Sequence, residues 1–274
     1  MIGATCIMIM SIGFIGAGNM ASAIIETLRK TGYIKPENIY IYDTDIEKSK
    51  RFAKYGMHIC TGAKEAFDGR TYTFLCIKPQ VFRECSQSFS GLANNTDCIV
   101  SIMAGIKIFD IKKVFGDIHT IRVMPNTPML VSGGASALVK PDDVSDELFA
   151  PVFDIFNSCG KAAVVEEKDI SAVTALSGSG PAYFFKFARA ALEEAEKLGL
   201  SEQTAKDLLF QTMRGSADML EQSGYSPDEL VKMVTSPKGT TLAANESFDR
   251  DDYEGSIKRA MKACFDRAEE LSKL

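Results

Sequence analysis

The chain has 274 residues, enough for one large or two modest domains; 46% are hydrophobic and 24% charged, the balance of an ordinary globular protein. A formal net charge of −5, with no basic stripe and no run of like charge, argues against a nucleic-acid partner and against a disordered tail. Seven cysteines, an odd number with no CxxC pair, argue against a disulfide framework or structural zinc and for a reducing, cytoplasmic compartment.

Met1 to Met10 is apolar, carries no lysine or arginine, and is too short to span a bilayer. Residues 1–9 therefore read as a leader or upstream extension, and no membrane partner is expected. From there short apolar runs alternate with helical patterns. Strands are expected at Ser11–Ile15, Ile39–Tyr42, Tyr72–Ile77, Cys98–Ile102, Thr120–Met124, Ala135–Val139 and Ala162–Val165. Amphipathic helices are expected at Met20–Lys30, Ile46–Tyr55 and Val81–Phe89. The alternation predicts an α/β fold, a Rossmann-like doubly wound, mostly parallel sheet, over residues 10–167.

The pattern changes near Glu167. Residues 168–274 read as an all-helical C-terminal domain of common size. Phe184, Ala188, Ala191, Ala195 and Leu198 form a stripe at helical spacing, ended by Gly199. Ser201 can cap the next helix, and Ser226-Pro227-Asp228-Glu229 is a further start signal. Ile257, Met261, Cys264, Ala268 and Leu271 mark the last helix.

The first chemistry lies in Ile15-Gly16-Ala17-Gly18-Asn19-Met20-Ala21, a G-x-G-x-x-A run between a predicted strand and a predicted helix. Gly16 permits the tight turn, Gly18 lets backbone approach a pyrophosphate, and the free N–H groups of the helix start face the phosphates. A glycine turn with no ligand is the bland alternative, and the order strand, loop, helix favours a dinucleotide. Asp43 ends the second strand, 27 residues after Gly16. A carboxylate there accepts from a ribose 2′-hydroxyl and repels a 2′-phosphate, which tilts NAD(P)H toward NADH. Lys48, Lys50 and Arg51 follow on a helix and read as solvated surface.

Acid–base groups are scarce. Both histidines, His58 and His119, read as structural, and no HExxH, GxSxG or Walker loop is present. A protonated imine accepts hydride without a strong protein acid, so this poverty suits C=N reduction better than ketone reduction. In the helical half, Val234 to Thr241 places Ser236, Gly239, Thr240 and Thr241 at a helix start that can hold a carboxylate; the same residues also make an ordinary helix cap. Ser177-Gly-Ser-Gly180-Pro181 can either join two helices or bring backbone to a bound ring.

Taken in order, Ile12 to Ala21, Cys76-Ile77-Lys78-Pro79-Gln80, Ser101-Ile102-Met103-Ala104-Gly105, Arg122 to Pro128, Leu176 to Tyr183 and Val234 to Thr241 resemble the pyrroline-5-carboxylate reductase family. The resemblance runs from about Met10 to near the C-terminus. It implies reduction of 1-pyrroline-5-carboxylate to L-proline by NAD(P)H. It places Ile15 to Met20 on the pyrophosphate, Ile77, Lys78 and Pro79 along the cofactor, and Ile102, Met103 and Ala104 near its nicotinamide half. Ser236, Gly239, Thr240 and Thr241 would hold the substrate, Thr241 facing the ring nitrogen, and Glu167 matches an acid near the substrate. Members form dimers through interlocked helical domains, often assembled into rings, so a dimer or decamer is implied. Lys238 stands where the family usually has a glycine, and Ala63 where many members have an asparagine near the cofactor ribose; Asp43 stands where NADPH-preferring members have a small polar or basic residue. A β-hydroxyacid dehydrogenase would carry a lysine where Phe184 stands, with Lys186 on a different helical face, and a non-catalytic dinucleotide sensor would not need the hydroxyl-rich turn.

Overall fold

The computed structural model describes residues 10–273; the leader reading of residues 1–9 lies outside the described residues. The chain divides into two compact units, one running to Ser179 and including Cys264–Leu274, the other Gly180–Ala263.

The first unit holds one eight-stranded sheet. Its strands are β1 (Ile12–Ile15), β2 (Ile39–Tyr42), β3 (His58–Ile59), β4 (Arg70–Leu75), β5 (Thr96–Ser101), β6 (His119–Met124), β7 (Gly134–Val139) and β8 (Gly160–Val165). They lie in the order β3-β2-β1-β4-β5-β6-β7-β8. Every neighbouring pair is parallel except β6 with β7. Every predicted strand forms, within two residues at each end, and the two-residue β3 is an addition.

The helices of this unit are α1 (Asn19–Thr31), α2 (Ile46–Lys50), α3 (Ala63–Phe67), α4 (Pro79–Cys85), α5 (Ile108–Phe115), α6 (Asp146–Ser158) and α7 (Ile170–Val173). The predicted helices at 46–55 and 81–89 each break into a short α-helix and a 3₁₀ turn. Alternate side chains of β1 feed opposite cores, as a two-sided sheet requires. Ile12 and Phe14 join a cluster with Ile24, Leu28 and Phe156, whereas Ile15 joins Phe67, Leu75 and Phe82.

The second unit holds α8 (Gly180–Lys197), α9 (Glu202–Gln222), α10 (Pro227–Met233), α11 (Thr240–Arg250) and the start of α12 (Tyr253–Leu271), whose last turns belong to the first unit. Gly199 takes the left-handed φ of +99° that ends α8. Ser226 and Glu229 close a reciprocal capping box on α10. Ala205 is the one fully buried apolar residue among α8–α12, while Phe184 and Phe185 are 62% and 65% exposed. A helix bundle that leaves its phenyl rings in water has an apolar surface to cover. No helix among the described residues is long and apolar enough to cross a membrane.

Candidate active site

Four strands end at one edge of the sheet and deliver the expected cofactor residues there. Ile15 ends β1; Gly16 and Ala17 form the turn; Gly18 is the N-cap of α1, which Asn19 and Met20 begin. Asp43 follows β2, Ile77 and Lys78 follow β4, Pro79 opens α4, and Ile102, Met103 and Ala104 follow β5. The C-terminal edge of a parallel sheet is where such folds bind ligands.

The two glycines of the turn differ in what the protein demands of them. Gly16 has φ +98°, and a Cβ there would sit 2.8 Å from the Cys76 carbonyl oxygen. Gly18 has φ −68° and ψ −172°, open to any residue, and a Cβ there would meet no heavy atom within 4 Å. The fold alone does not require a glycine at position 18; an approaching anion does. No side chain caps α1, and its first turn holds no acid. Its N–H groups and positive dipole end therefore remain available to phosphate.

Beside this helix start opens a largely apolar cavity of about 400 Å³, lined among others by Ile15, Tyr42, Asp43, Ala63, Ile77 and Leu92. Its walls suit a flat heteroaromatic ring, with Asp43 at its polar rim. The residues present thus fit a dinucleotide: uncapped N–H groups for the pyrophosphate, apolar walls for the base, a carboxylate for ribose.

Asp43 also has work within the protein. Its Oδ2 accepts from the Ala17 N–H at 2.7 Å and its Oδ1 from the Asp45 N–H at 2.8 Å. The surface reading of the neighbouring cations holds for Lys48 and Lys50, which pair with Asp45 and Glu47 in solvent. Arg51 is exposed as well, and it also reaches back to the turn after β1. The Arg51 guanidinium donates to the Ala17 carbonyl at 3.1 Å and to the Ser22 hydroxyl. The two peptides that flank Ala17 are both held, the first at its N–H by a carboxylate and the second at its C=O by a guanidinium. No local pattern signals this, because 34 residues separate Arg51 from Ala17.

Glu167 lies in the 3₁₀ turn after β8. Its Oε1 accepts from Arg122 at 3.0 Å and from the Ile108 N–H at 2.9 Å. Arg122, whose side chain is 5% exposed, thereby meets its counter-charge. The two line a polar cavity of about 350 Å³ with Lys107, Lys168, Ser171 and Glu269.

The Arg122 to Pro128 run carries a second unforeseen device. Asn126 is buried; its Nδ2 donates to the Ser177 carbonyl at 3.0 Å, and its Oδ1 accepts from the Ala135 N–H at 2.8 Å. The Ser177 partner belongs to a π turn, Thr174–Gly178, closed by Ser179 N–H on the Thr174 carbonyl at 2.8 Å. The small-residue run joins two helices, as one of its two readings has it, and Pro181 falls in the first turn of α8.

In the helical unit Ser236, Gly239, Thr240 and Thr241 come together at the start of α11. Gly239 is the N-cap, with no side chain capping it, so the hydroxyls are not spent as an ordinary cap. Lys238 takes φ +60°. That left-handed backbone favours glycine, and holding it costs a lysine roughly 1–2 kcal/mol.

Comparison with known proteins agrees with this geometry. Residues 11–105 match the family model for NADP oxidoreductase, coenzyme F420-dependent, and residues 167–271 match the one for pyrroline-5-carboxylate reductase dimerisation. The pyrroline-5-carboxylate reductase of Corynebacterium melassecola is 36% identical, covering 96% of this chain and 99% of its own. The crystal structure of the Coxiella burnetii enzyme of that name superposes with a TM-score of 0.87 at 32% identity, covering 97% of this chain and 100% of its own. That of the Plasmodium falciparum pyrroline carboxylate reductase, solved with NADP bound, gives 0.88 at 26% identity, covering 96% and 98%. The chain belongs to the pyrroline-5-carboxylate reductase family.

Proposed function

We propose that this chain reduces 1-pyrroline-5-carboxylate to L-proline with NAD(P)H, the last step of proline biosynthesis. The observation that carries the reading is 36% and 37% identity over nearly the full chain to reductases of that name, supported by a strand–turn–helix whose second glycine meets no protein atom that requires it.

In this reading residues 10–167 form the dinucleotide-binding domain and 168–274 the substrate and dimerisation domain. Ile15, Gly16, Ala17, Gly18, Asn19 and Met20 bind the pyrophosphate. Ile77, Lys78 and Pro79 line the dinucleotide, with Ile102, Met103 and Ala104 on its nicotinamide half. Asp43 accepts from the adenosine ribose, which tilts the preference toward NADH. Bound NAD(P)H supplies the hydride that reduces the C=N carbon. The start of α11 holds the substrate carboxylate through the Gly239, Thr240 and Thr241 N–H groups, with Ser236 adding a hydroxyl. Thr241 hydrogen-bonds the ring nitrogen as it becomes an amine, and Glu167 sets the substrate side through Arg122. The iminium arrives protonated from water, so the site needs position more than an acid, and positioning alone contributes several kcal/mol. The chain self-associates through its helical half; we assign a dimer, assembled further into a decamer, in the cytoplasm.

The test is a pair of initial-rate curves with NADH and NADPH on pyrroline-5-carboxylate, repeated for Thr241→Ala. The substitution is expected to lower turnover at least tenfold, about 1.4 kcal/mol of transition-state stabilisation, with cofactor affinity within a few-fold. Unchanged turnover removes Thr241 from the chemistry.

A further inference from the structure

Arg83 lies on α4, one turn beyond Ile77–Pro79. Its Nη2 donates to two backbone carbonyls from distant parts of the chain: Leu271 at 2.7 Å and Gly105 at 3.3 Å. Leu271 is the last residue of α12, and the last turn of that helix holds no basic residue of its own. A helix leaves its final carbonyls unpaired and carries a partial negative charge there. Arg83 supplies the missing cation from another element.

The second carbonyl follows directly on Ile102–Ala104. Gly105 has φ +71°, and a Cβ on it would lie 3.2 Å from the Leu271 Cβ and 3.3 Å from the Leu271 oxygen. The turn after β5 is thus pressed against the end of α12, with Arg83 bonded to both. The rest of this end of α12 is fixed as well: Glu269 accepts from the Ser171 hydroxyl, and the Cys264 thiol lies 3.2 Å from the Ser179 hydroxyl. One guanidinium therefore joins the segment after β4, the segment after β5 and the terminus of the dimerisation region.

We propose that Arg83 is a positioning residue for hydride transfer, holding the segment that lines the dinucleotide and the segment on its nicotinamide half at a fixed spacing against the end of α12. The inference rests on the cofactor placement proposed above and goes beyond it. Both bonds come from one nitrogen; a lysine ammonium carries donors enough for both carbonyls but stands one bond nearer the backbone, so it meets the pair only at a stretch. In this reading the adenine half is held by α1 and the apolar cavity, which Arg83 itself does not line.

The test uses the full chain with Arg83→Met and Arg83→Lys. Adenosine diphosphate reports the adenine half, the emission of bound NADPH reports the nicotinamide, and the deuterium isotope effect with 4-deuterated NADPH reports hydride transfer. The expected result for Arg83→Met is adenosine diphosphate affinity within twofold, NADPH emission moved toward that of free NADPH, kcat down at least tenfold, and a larger isotope effect. Arg83→Lys is expected to recover less than half of the loss, and it serves alone if the Met variant does not fold. The proposal is overturned if emission and isotope effect stay at wild-type values, or if adenosine diphosphate affinity falls as far as kcat. Should the wild type not reduce pyrroline-5-carboxylate, the function reading fails, while emission and adenosine diphosphate binding still decide the role of Arg83.

Discussion

Gly18→Ala separates what the fold needs from what the cofactor needs. The Gly18 backbone is already in a region open to alanine, and the added methyl meets nothing within 4 Å. Removing a glycine from the unfolded chain at such a site stabilises by about 0.4–1 kcal/mol. In a chain of this size that is a rise in Tm of roughly 1–3 °C. The same methyl stands where a pyrophosphate must approach the N–H groups of α1. Loss of one hydrogen bond to a charged group costs about 1.5–3 kcal/mol, which weakens NAD(P)H binding roughly 10- to 150-fold. Gly16→Ala is the counterpart: left-handed strain and a clash with the Cys76 carbonyl lower both Tm and affinity. Scanning fluorimetry and calorimetric titration of the two variants read both quantities. If Gly18→Ala keeps NAD(P)H affinity within threefold of wild type, the backbone does not touch the pyrophosphate and the site has been misplaced.

Three further outcomes are expected. Arg51→Met should weaken NADH and NADPH alike, about three- to tenfold for a partly exposed charged hydrogen bond, because the Ala17 carbonyl loses its guanidinium donor; a loss confined to NADPH would make Arg51 a 2′-phosphate reader instead. Cys85 is exposed on the wall of the apolar cavity, whereas burial pushes the Cys60 thiol up to about 11 and Cys98 up to about 12. Iodoacetamide should therefore label Cys85 before either, and adenosine diphosphate should slow that labelling, as peptide mass mapping would show. The hydrogen bond from Lys112 holds the Asp143 carboxyl below the usual carboxylate range. A lowered carboxylate stabilises the fold above about pH 4, its ordinary value, and loses that effect as pH falls through the lowered one. The Tm gap between wild type and Lys112→Met should then close in acid, and a gap of equal size at pH 7 and about pH 2 would contradict the pairing.

The parts of this molecule that were legible in sequence are those whose physics is local. Ile12 to Ala21 declares a strand, a turn and a helix within ten residues, and Ser226 to Glu229 announces a cap within four. The helix Asp146–Ser158 was not read because Pro151 sits inside it, and Ile108–Phe115 because one short helix shows barely two turns of its pattern. The two-residue strand His58–Ile59 is held by Tyr40 and Ile41 of its neighbour rather than by its own residues. The π turn at Thr174–Gly178 depends on Asn126, some fifty positions earlier, and nothing in Ser177 to Gly180 names that partner. The candidate cofactor residues lie together because one loop and four strand ends share an edge. Arg51 and Arg83 were not assigned a role because each acts on a carbonyl far away along the chain, which spacing does not record.

The uncovered phenyl rings of α8 bear on how the protein comes into being. In a single copy Phe184 and Phe185 stay in water, and self-association through this half is what would cover them. Its resistance to heat should therefore climb with protein concentration.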